Sequence, residues 1–421
     1  MFSLIRFLRC SPFDEWNVWK TWVDKSPMGQ QRLNTLVKSL MLRRTKDQKS
    51  SVTGEEIVSL PSKTVEFHRM KLNDEERKVY DEVFSFSRQA MANYMKKHEE
   101  KKSDEEMIRQ VTENGYKFRP DFQASYNNNE ATEDKFSMAS KFSNSSDIKA
   151  HHLLVLLLRL RQICNHPGLI KTMLEEETKA TEGLVSGEKS DDLDLVSQLA
   201  NMSINMQGSK KDELSELEDG DMELKILDPS NPIFKEKKPS SKILTVVDKL
   251  QELKRKHEAE GVMEKAVIVS QWTSMLNIMK SHIQGMGFKV AEINGSINVK
   301  HRGGIVDDFN RKNAGAQVML LSLAAGGVGL NLVGANHLFL LDMHWNPQLE
   351  AQACDRIYRV GQKKDVVIHK FLCEDTVESR ILDLQTKKMD LANSVLTGAR
   401  RQNTNKLTLD DLKMLFGLGG K

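Results

Sequence analysis

Five short apolar runs, at residues 266–270, 289–293, 317–321, 337–341 and 366–371, are the strongest constraint on how this chain folds. Segments of about 10–15 residues with helical character separate them. Strands that alternate with helices are joined by right-handed crossovers and build a parallel sheet. The runs are almost continuously apolar, as strands covered by helices on both faces must be. The expected fold class is therefore α/β, a parallel sheet with helices on both faces, preceded by a mainly helical region.

The rest of the chain divides by composition. Residues 1–60 read as helical and basic. Leu36, Val37, Leu40, Met41 and Leu42 form an apolar stripe ahead of Arg43-Arg44-Thr45-Lys46, and the segment ends near Leu60-Pro61. Residues 64–70 alternate like a strand. Asn73 followed by Glu76 is a capping pattern that starts a helix through Tyr80 and Phe84. These pieces are grouped as one region, 1–96. A polar insert follows at 97–147. Within 148–171 a strong helix runs from His151 to Arg161 and stops at Asn165-His166-Pro167-Gly168. Residues 172–238 are rich in Glu, Asp, Ser and Lys without periodicity, which predicts a disordered acidic linker. The sheet region spans 239–400 and closes with a long helix through Ile381, Leu384 and Met389. The last piece, 401–421, holds a short helix from Thr408 to Phe416, with Thr408 and Asp411 as its N-terminal cap.

Bulk numbers exclude some classes. No run of 18 apolar residues exists, so no membrane span is expected. The apolar start at residues 1–8 lacks a small-residue cleavage site, so no signal peptide is expected. Net charge is +3, from 62 basic and 59 acidic residues, so any nucleic-acid surface must be a local patch. Cys10, Cys164, Cys354 and Cys373 lie far apart without a C-x-x-C pair. Free thiols are expected, and no metal site.

Three motifs carry chemistry. In Gln352-Ala353-Cys354-Asp355-Arg356-Ile357-Tyr358-Arg359-Val360-Gly361-Gln362, a spacing of three puts Arg356 and Arg359 on one face of a helix. Gly361 ends that helix. Two forked guanidinium groups held together match a polyphosphate. In Ser322-Leu323-Ala324-Ala325-Gly326-Gly327-Val328-Gly329-Leu330-Asn331-Leu332, glycines after a buried strand let the backbone approach a phosphate, and Ser322 can donate to one. In Val267-Ile268-Val269-Ser270-Gln271-Trp272, polar side chains sit at the carboxyl end of a buried strand, where α/β sheets bind ligands. Arg302 and Trp345 belong to the same half. Two near-misses are rejected. Gly187-Glu188-Lys189-Ser190 has its upstream glycine, Gly183, one residue too close for a phosphate loop. Asp74-Glu75-Glu76 is helix-start acidity rather than a metal box. His151-His152 and Cys164-Asn165-His166 read as structural.

Together the motifs resemble the second lobe of the Swi/Snf-type helicase-like ATPases. Residues 268–272, 322–332 and 352–362 are similar to that family's fourth, fifth and sixth motifs. Upstream, Phe7-Leu8-Arg9-Cys10 with Phe13 and Trp16, the 42–46 run, and Leu160-Arg161-Gln162-Ile163-Cys164-Asn165-His166-Pro167 are further landmarks. The resemblance implies a RecA-like lobe in a DNA-dependent ATPase that tracks along double-stranded DNA, with ATP and Mg2+ held in the full-length protein. It implies that Arg356 and Arg359 are catalytic, and that Gly327, Gly329, Gln352 and Asp355 line the nucleotide. It places Ser270, Gln271, Ser322, Arg302 and Trp345 on DNA. The wording is most similar to the family's transcription-termination branch. That implies a nuclear protein acting on the RNA polymerase II elongation complex, partnered by the first RecA-like lobe.

Ala324 departs from the basic residue common in the family. No G-x-x-x-x-G-K-[ST] loop and no acidic Mg2+ box is found. This chain alone is therefore expected to hydrolyse ATP at background rates, as a fragment or truncated product of a motor. The alternative is a non-enzymatic DNA- or partner-binding module that modulates the full-length enzyme. An RNA helicase lobe is the weaker alternative, because Trp345-Asn346-Pro347 and the 160–167 run point to duplex-DNA motors.

Overall fold

The computed structural model describes residues 2–26, 28–40, 46, 48–50, 53–55, 57–113, 150–175, 226–261, 263–312, 314–323, 325, 329–396 and 407–418. The chain divides into two compact units, Met1–Leu60 and Pro61–Lys421.

The first unit is helical, as expected. It contains α1 (Phe2–Phe7), α2 (Trp16–Trp19) continuing into a π-turn at Lys20–Asp24, and α3 (Gly29–Leu40). Ile5, Trp19 and Val23 form its small core, against which Leu33 and Leu36 pack. The Phe2 ring meets Trp16 and Trp19 with centroids 5.0 and 5.7 Å apart. Residues 41–45, which include most of the expected basic cluster, lie outside the described residues.

The second unit runs β1 (Lys63–Met70), α4 (Asp74–Glu113), α5 (Ala150–Asn165), α6 (Ser241–Glu260), β2 (Ala266–Ser270), α7 (Thr273–Gly285), β3 (Val290–Ile293), α8 (Val299–Asn310), β4 (Val318–Ser322), β5 (His337–Leu340), α9 (Pro347–Cys354), β6 (Val366–Cys373), α10 (Val377–Leu396) and α11 (Leu409–Leu415). The six strands form one sheet in the order β1-β6-β5-β2-β4-β3, and every neighbouring pair is parallel. All five strands expected from the apolar runs are present.

Side chains alternate faces along a strand, so the sheet divides two cores between its sides. Ala266, Ile268, Val318, Leu320, Phe339, Leu341, Phe371 and Cys373 face a layer built from α4, α5, α6, α7, α10 and α11. Val267, Val269, Met319, Leu321, Leu338, Leu340, Val366 and Ile368 face Val306 and Phe309 of α8, with Leu330, Leu332, Ala335 and Ile357. Continuous apolarity in β2, β4 and β5 is the consequence: these strands are buried along their whole length, so neither of their faces meets water.

Four expectations change. The strand expected at 64–70 does not stand with residues 1–96: β1 pairs along its whole length with β6, from Lys63↔Val366 to Met70↔Cys373. It is the edge of the main sheet. The helix capped by Asn73 and Glu76 extends through Glu113, well into the expected polar insert at 97–147. No glycine or proline interrupts residues 74–113, so nothing in that stretch stops it. Residues 114–149 lie outside the described residues.

The expected acidic linker also has an ordered end. Leu227, Ile233 and Phe234 are buried, Asn231 caps the 3-10 turn Pro232–Phe234, and the His166 ring meets the Lys238 carbonyl at 2.8 Å. Residues 176–225, including Gly187-Glu188-Lys189-Ser190, lie outside the described residues. Lastly, α11 is not a separate piece. Its capping box of Thr408 and Asp411 forms as expected, and Leu415 and Phe416 are fully buried in the first core. Arg380 of α10 donates to the Leu415 carbonyl at 2.9 Å.

Candidate nucleotide and nucleic-acid interface

The chain leaves β2 toward β3 and β4 on one side, then returns to β5 on the other. The carboxyl ends of β2, β4 and β5 thus lie where an open α/β sheet offers a ligand crevice. Ser270 and Ser322 are register partners there. Ser270 is fully buried, and its hydroxyl donates to Asp342 at 2.5 Å. The Gln271 backbone N–H and side-chain amide donate to the same carboxylate at 3.2 and 3.0 Å. Burial pushes the Asp342 carboxyl up, opposed by Arg161 and by the Ser270 hydrogen bond. Ser270 and Gln271 therefore both hold Asp342; Ser270 is closed off from solvent, whereas Gln271 stays half-buried. Ser322 is buried beside them.

Arg356 and Arg359 share one turn segment, not a helix. α9 ends at Cys354, and residues 355–361 are turns. Tertiary contacts explain the early end. Ile357 is fully buried in the second core, and the Arg356 carbonyl accepts the Leu332 N–H at 2.9 Å. The Gln362 amide donates to the Ala335 and Ile357 carbonyls at 2.8 and 3.2 Å. Gly361 takes a φ of +102°, a left-handed region that glycine enters without a Cβ clash.

Both arginines are half-buried. Arg359 donates to the Leu330 carbonyl at 3.0 Å. The Arg356 Nε is buried and has no hydrogen-bond partner among the described residues. The arginine turn and the segment after the glycine run are thus tied at residues 330–335. Gly329 there is exposed with φ +36°. Gly327 and Ala324 lie outside the described residues. Gln352 on α9 and Asp355 at its C-cap are exposed.

Arg302 is buried rather than presented to solvent. Its guanidinium donates to the Ile297 and Asn294 carbonyls at 3.0 and 3.2 Å and so pins the loop before α8. Trp345 is half-buried and packs on Arg161, whose guanidinium carbon lies 4.8 Å from the Trp345 ring centroid and 5.1 Å from that of Trp272. Arg161 is 1% exposed and donates to the Met343 carbonyl at 2.5 Å. Glu350 holds the same loop, accepting from the His344 N–H at 2.9 Å and from Lys370 at 2.7 Å. Sequence reading marked Arg161 only as a landmark and passed over Glu350. The one local signal was an arginine directly after the leucine-rich run at 153–160.

His344 stacks beside Trp345 with centroids 4.4 Å apart. Burial, then the Arg161 charge, lowers its imidazole to about 4. The fold binds it neutral, whereas the unfolded chain protonates it near its ordinary value of about 6.5. Stability is therefore highest above about 6.5 and is lost as pH falls toward about 4. Denaturant midpoints should drop across that window, and His344→Gln should flatten the decline; an unchanged slope in the variant would refute the assignment.

Residues 1–169 match the family model described as SNF2-related domain, and residues 246–361 match that described as helicase conserved C-terminal domain. The chain belongs to the Swi/Snf-type helicase-like ATPase family. It is 45% identical to transcription termination factor 2 of Drosophila melanogaster, over 99% of this chain and 40% of that protein. It is 29% identical to helicase-like transcription factor of Mus musculus, over 99% of this chain and 41% of that protein. The crystal structure of the C-terminal part of the Fun30 ATPase domain aligns with a TM-score of 0.48 at 20% identity, covering 86% of this chain and 97% of that one. The chain spans about two fifths of the length of the curated relatives it matches. In this Swi/Snf-type chain the C-terminal domain match runs from α6 to Gly361. It therefore takes in the strand ends, the glycine run and the arginine turn.

Proposed function

We propose that this chain is the second motor lobe of an ATP-dependent double-stranded-DNA translocase. The observation that carries the reading is the arginine turn: Arg359 is anchored on the Leu330 carbonyl, and the neighbouring Arg356 keeps a buried Nε donor without a partner among the described residues. Arg356 is only half-buried, so the rest of its guanidinium fork is open to an anionic oxygen supplied from outside the lobe. In the full-length protein the first RecA-like lobe would hold ATP and Mg2+, whose bound form supplies the phosphoryl group. Arg356 and Arg359 would neutralise charge on it, with Gly327, Gly329, Gln352 and Asp355 lining the nucleotide from this side.

Coupling to DNA follows from the same bonds. The Leu332 N–H to Arg356 carbonyl bond and the Arg359 anchor join the arginine turn to the segment leaving β4. β4 ends at Ser322, beside Ser270 and Gln271. Movement of the turn on lobe closure would reach those strand ends, where Gln271, Ser322 and Trp345 would follow the DNA backbone. Arg302 is assigned to holding its loop rather than to DNA. Through the similarity to a transcription termination factor, the reading extends to a nuclear protein. There it would release RNA polymerase II and transcript from the template.

Phosphate contacts make binding salt-dependent and indifferent to sequence. The chain should bind duplex DNA in fluorescence anisotropy with an affinity that falls linearly on a log–log salt plot. A clear preference for RNA would sink the DNA assignment. By itself the chain should turn over ATP no faster than its Arg356→Ala/Arg359→Ala variant. Clear DNA-stimulated turnover above that variant would show that half an active site is the wrong description.

A further inference from the structure

A polar ladder crosses the apolar layer under α6. Glu66 and His68 lie two residues apart on β1, His369 lies on β6 and His337 on β5, all facing the same side of the sheet. α6 packs on β1 and β6 over them. His68 Nε2 is 2.9 Å from His369 Nδ1. Glu66 Oε2 is 3.2 Å from His369 Nδ1 and 3.6 Å from His68 Nε2. A tetrahedral zinc ion with bonds of about 2.0–2.1 Å needs donors about 3.3 Å apart. The three separations bracket that value, so tenths of an ångström of movement would suffice.

The next ring along fixes which nitrogen of His369 is bare. His337 Nε2 lies 3.4 Å from Glu264 Oε2. Facing that ring, the Glu264 carboxyl is held down at about 2, so it is an anion. Hydrogen on His337 Nε2, the nitrogen nearest that carboxylate, leaves His337 Nδ1 as an acceptor. That atom is 3.0 Å from His369 Nε2, which therefore donates to it. The His369 lone pair is left on Nδ1, pointing at Glu66 and His68. The arrangement is a ligand oriented by a second ring and a carboxylate.

We propose that Glu66, His68 and His369 bind a divalent transition-metal ion of the zinc type, with water as fourth ligand and His337 and Glu264 as the orienting chain. Two imidazoles and one carboxylate suit zinc or cobalt better than magnesium or calcium, which take oxygen. The ion would staple edge strand β1 to β6. Lys249 on α6 is the competing cation, 3.9 Å from Glu66 Oε2. It already contacts both Glu252 oxygens at 3.1 and 3.0 Å, which leaves Glu66 free to turn to the metal. Cysteine spacing gave no sign of this site, because its ligands come from strands 301 residues apart.

The test uses the whole chain with zinc and cobalt. One equivalent of zinc should survive gel filtration and raise the melting temperature. Cobalt should add visible d–d absorption without a thiolate charge-transfer band. Glu66→Gln and His68→Asn should each lower zinc affinity, and Glu264→Gln should lower it about 10–100-fold although it is no ligand. Lys249→Ala should bind more tightly. The proposal fails if the wild type binds zinc no better than a Glu66→Gln/His68→Asn variant with an unchanged circular dichroism spectrum. Should that variant misfold, unchanged zinc affinity in Lys249→Ala overturns it.

Discussion

Replacing Arg356 and Arg359 by alanine in the full-length protein is expected to lower DNA-stimulated ATP hydrolysis by roughly 10³–10⁵-fold. Charge builds on the transferring phosphoryl group in the transition state, and forked donors fixed in advance meet it without reorganising. Arg356 has the stronger case, because its buried Nε has no partner among the described residues. Arg359 also anchors on the Leu330 carbonyl, so its loss would loosen residues 330–335 as well. Lysine should rescue neither, since an ammonium lacks the planar fork. Single-turnover hydrolysis separates chemistry from binding, and duplex-DNA affinity should stay near the parent value. Activity of the double variant within tenfold of the parent would remove these arginines from the catalytic role.

The second large effect concerns stability. Lys242 and Glu378 form an ion pair at 2.6 Å, with exposures of 0% and 1%. Lys242 also donates to the Leu341 carbonyl at 2.8 Å, and Glu378 accepts the Cys373 N–H at 2.9 Å. The pair locks α6 and α10 to the ends of β5 and β6. Burial acts to lower the Lys242 ammonium, but the Glu378 charge outweighs it and the group ends above its ordinary value. Lys242→Met leaves a carboxylate buried and unpaired, which costs about 3–5 kcal/mol. Lys242→Met/Glu378→Leu removes both charges and should recover most of that loss. Denaturant unfolding of the parent, single and double variants checks it. A single variant that costs under about 1 kcal/mol would mean that water reaches the pair.

Much of the fold was legible because its signals are local. β2 to β6 follow from apolar runs bounded by helical stretches, and the caps at Asn73 and Thr408 from pairs three residues apart. The candidate site was legible as residue types in order, down to the two arginines. Its geometry was not. Spacing alone put Arg356 and Arg359 on a helix, but buried Ile357 and the Gln362 amide draw that backbone into turns. Ser270 read as a surface contact until Asp342, 72 residues away, took its hydroxyl.

By itself, then, the sequence determined the elements, the parallel sheet they build and the family they belong to, because propensity, periodicity and capping act within a few residues. Tertiary structure alone decided that residues 63–70 form the sheet's edge and that Arg161 lies between Trp272 and Trp345. It alone assembled Glu66, His68, His337 and His369 into one ladder. Those outcomes depend on which distant strands become neighbours. That choice is made by burial of whole faces, and no local pattern encodes it.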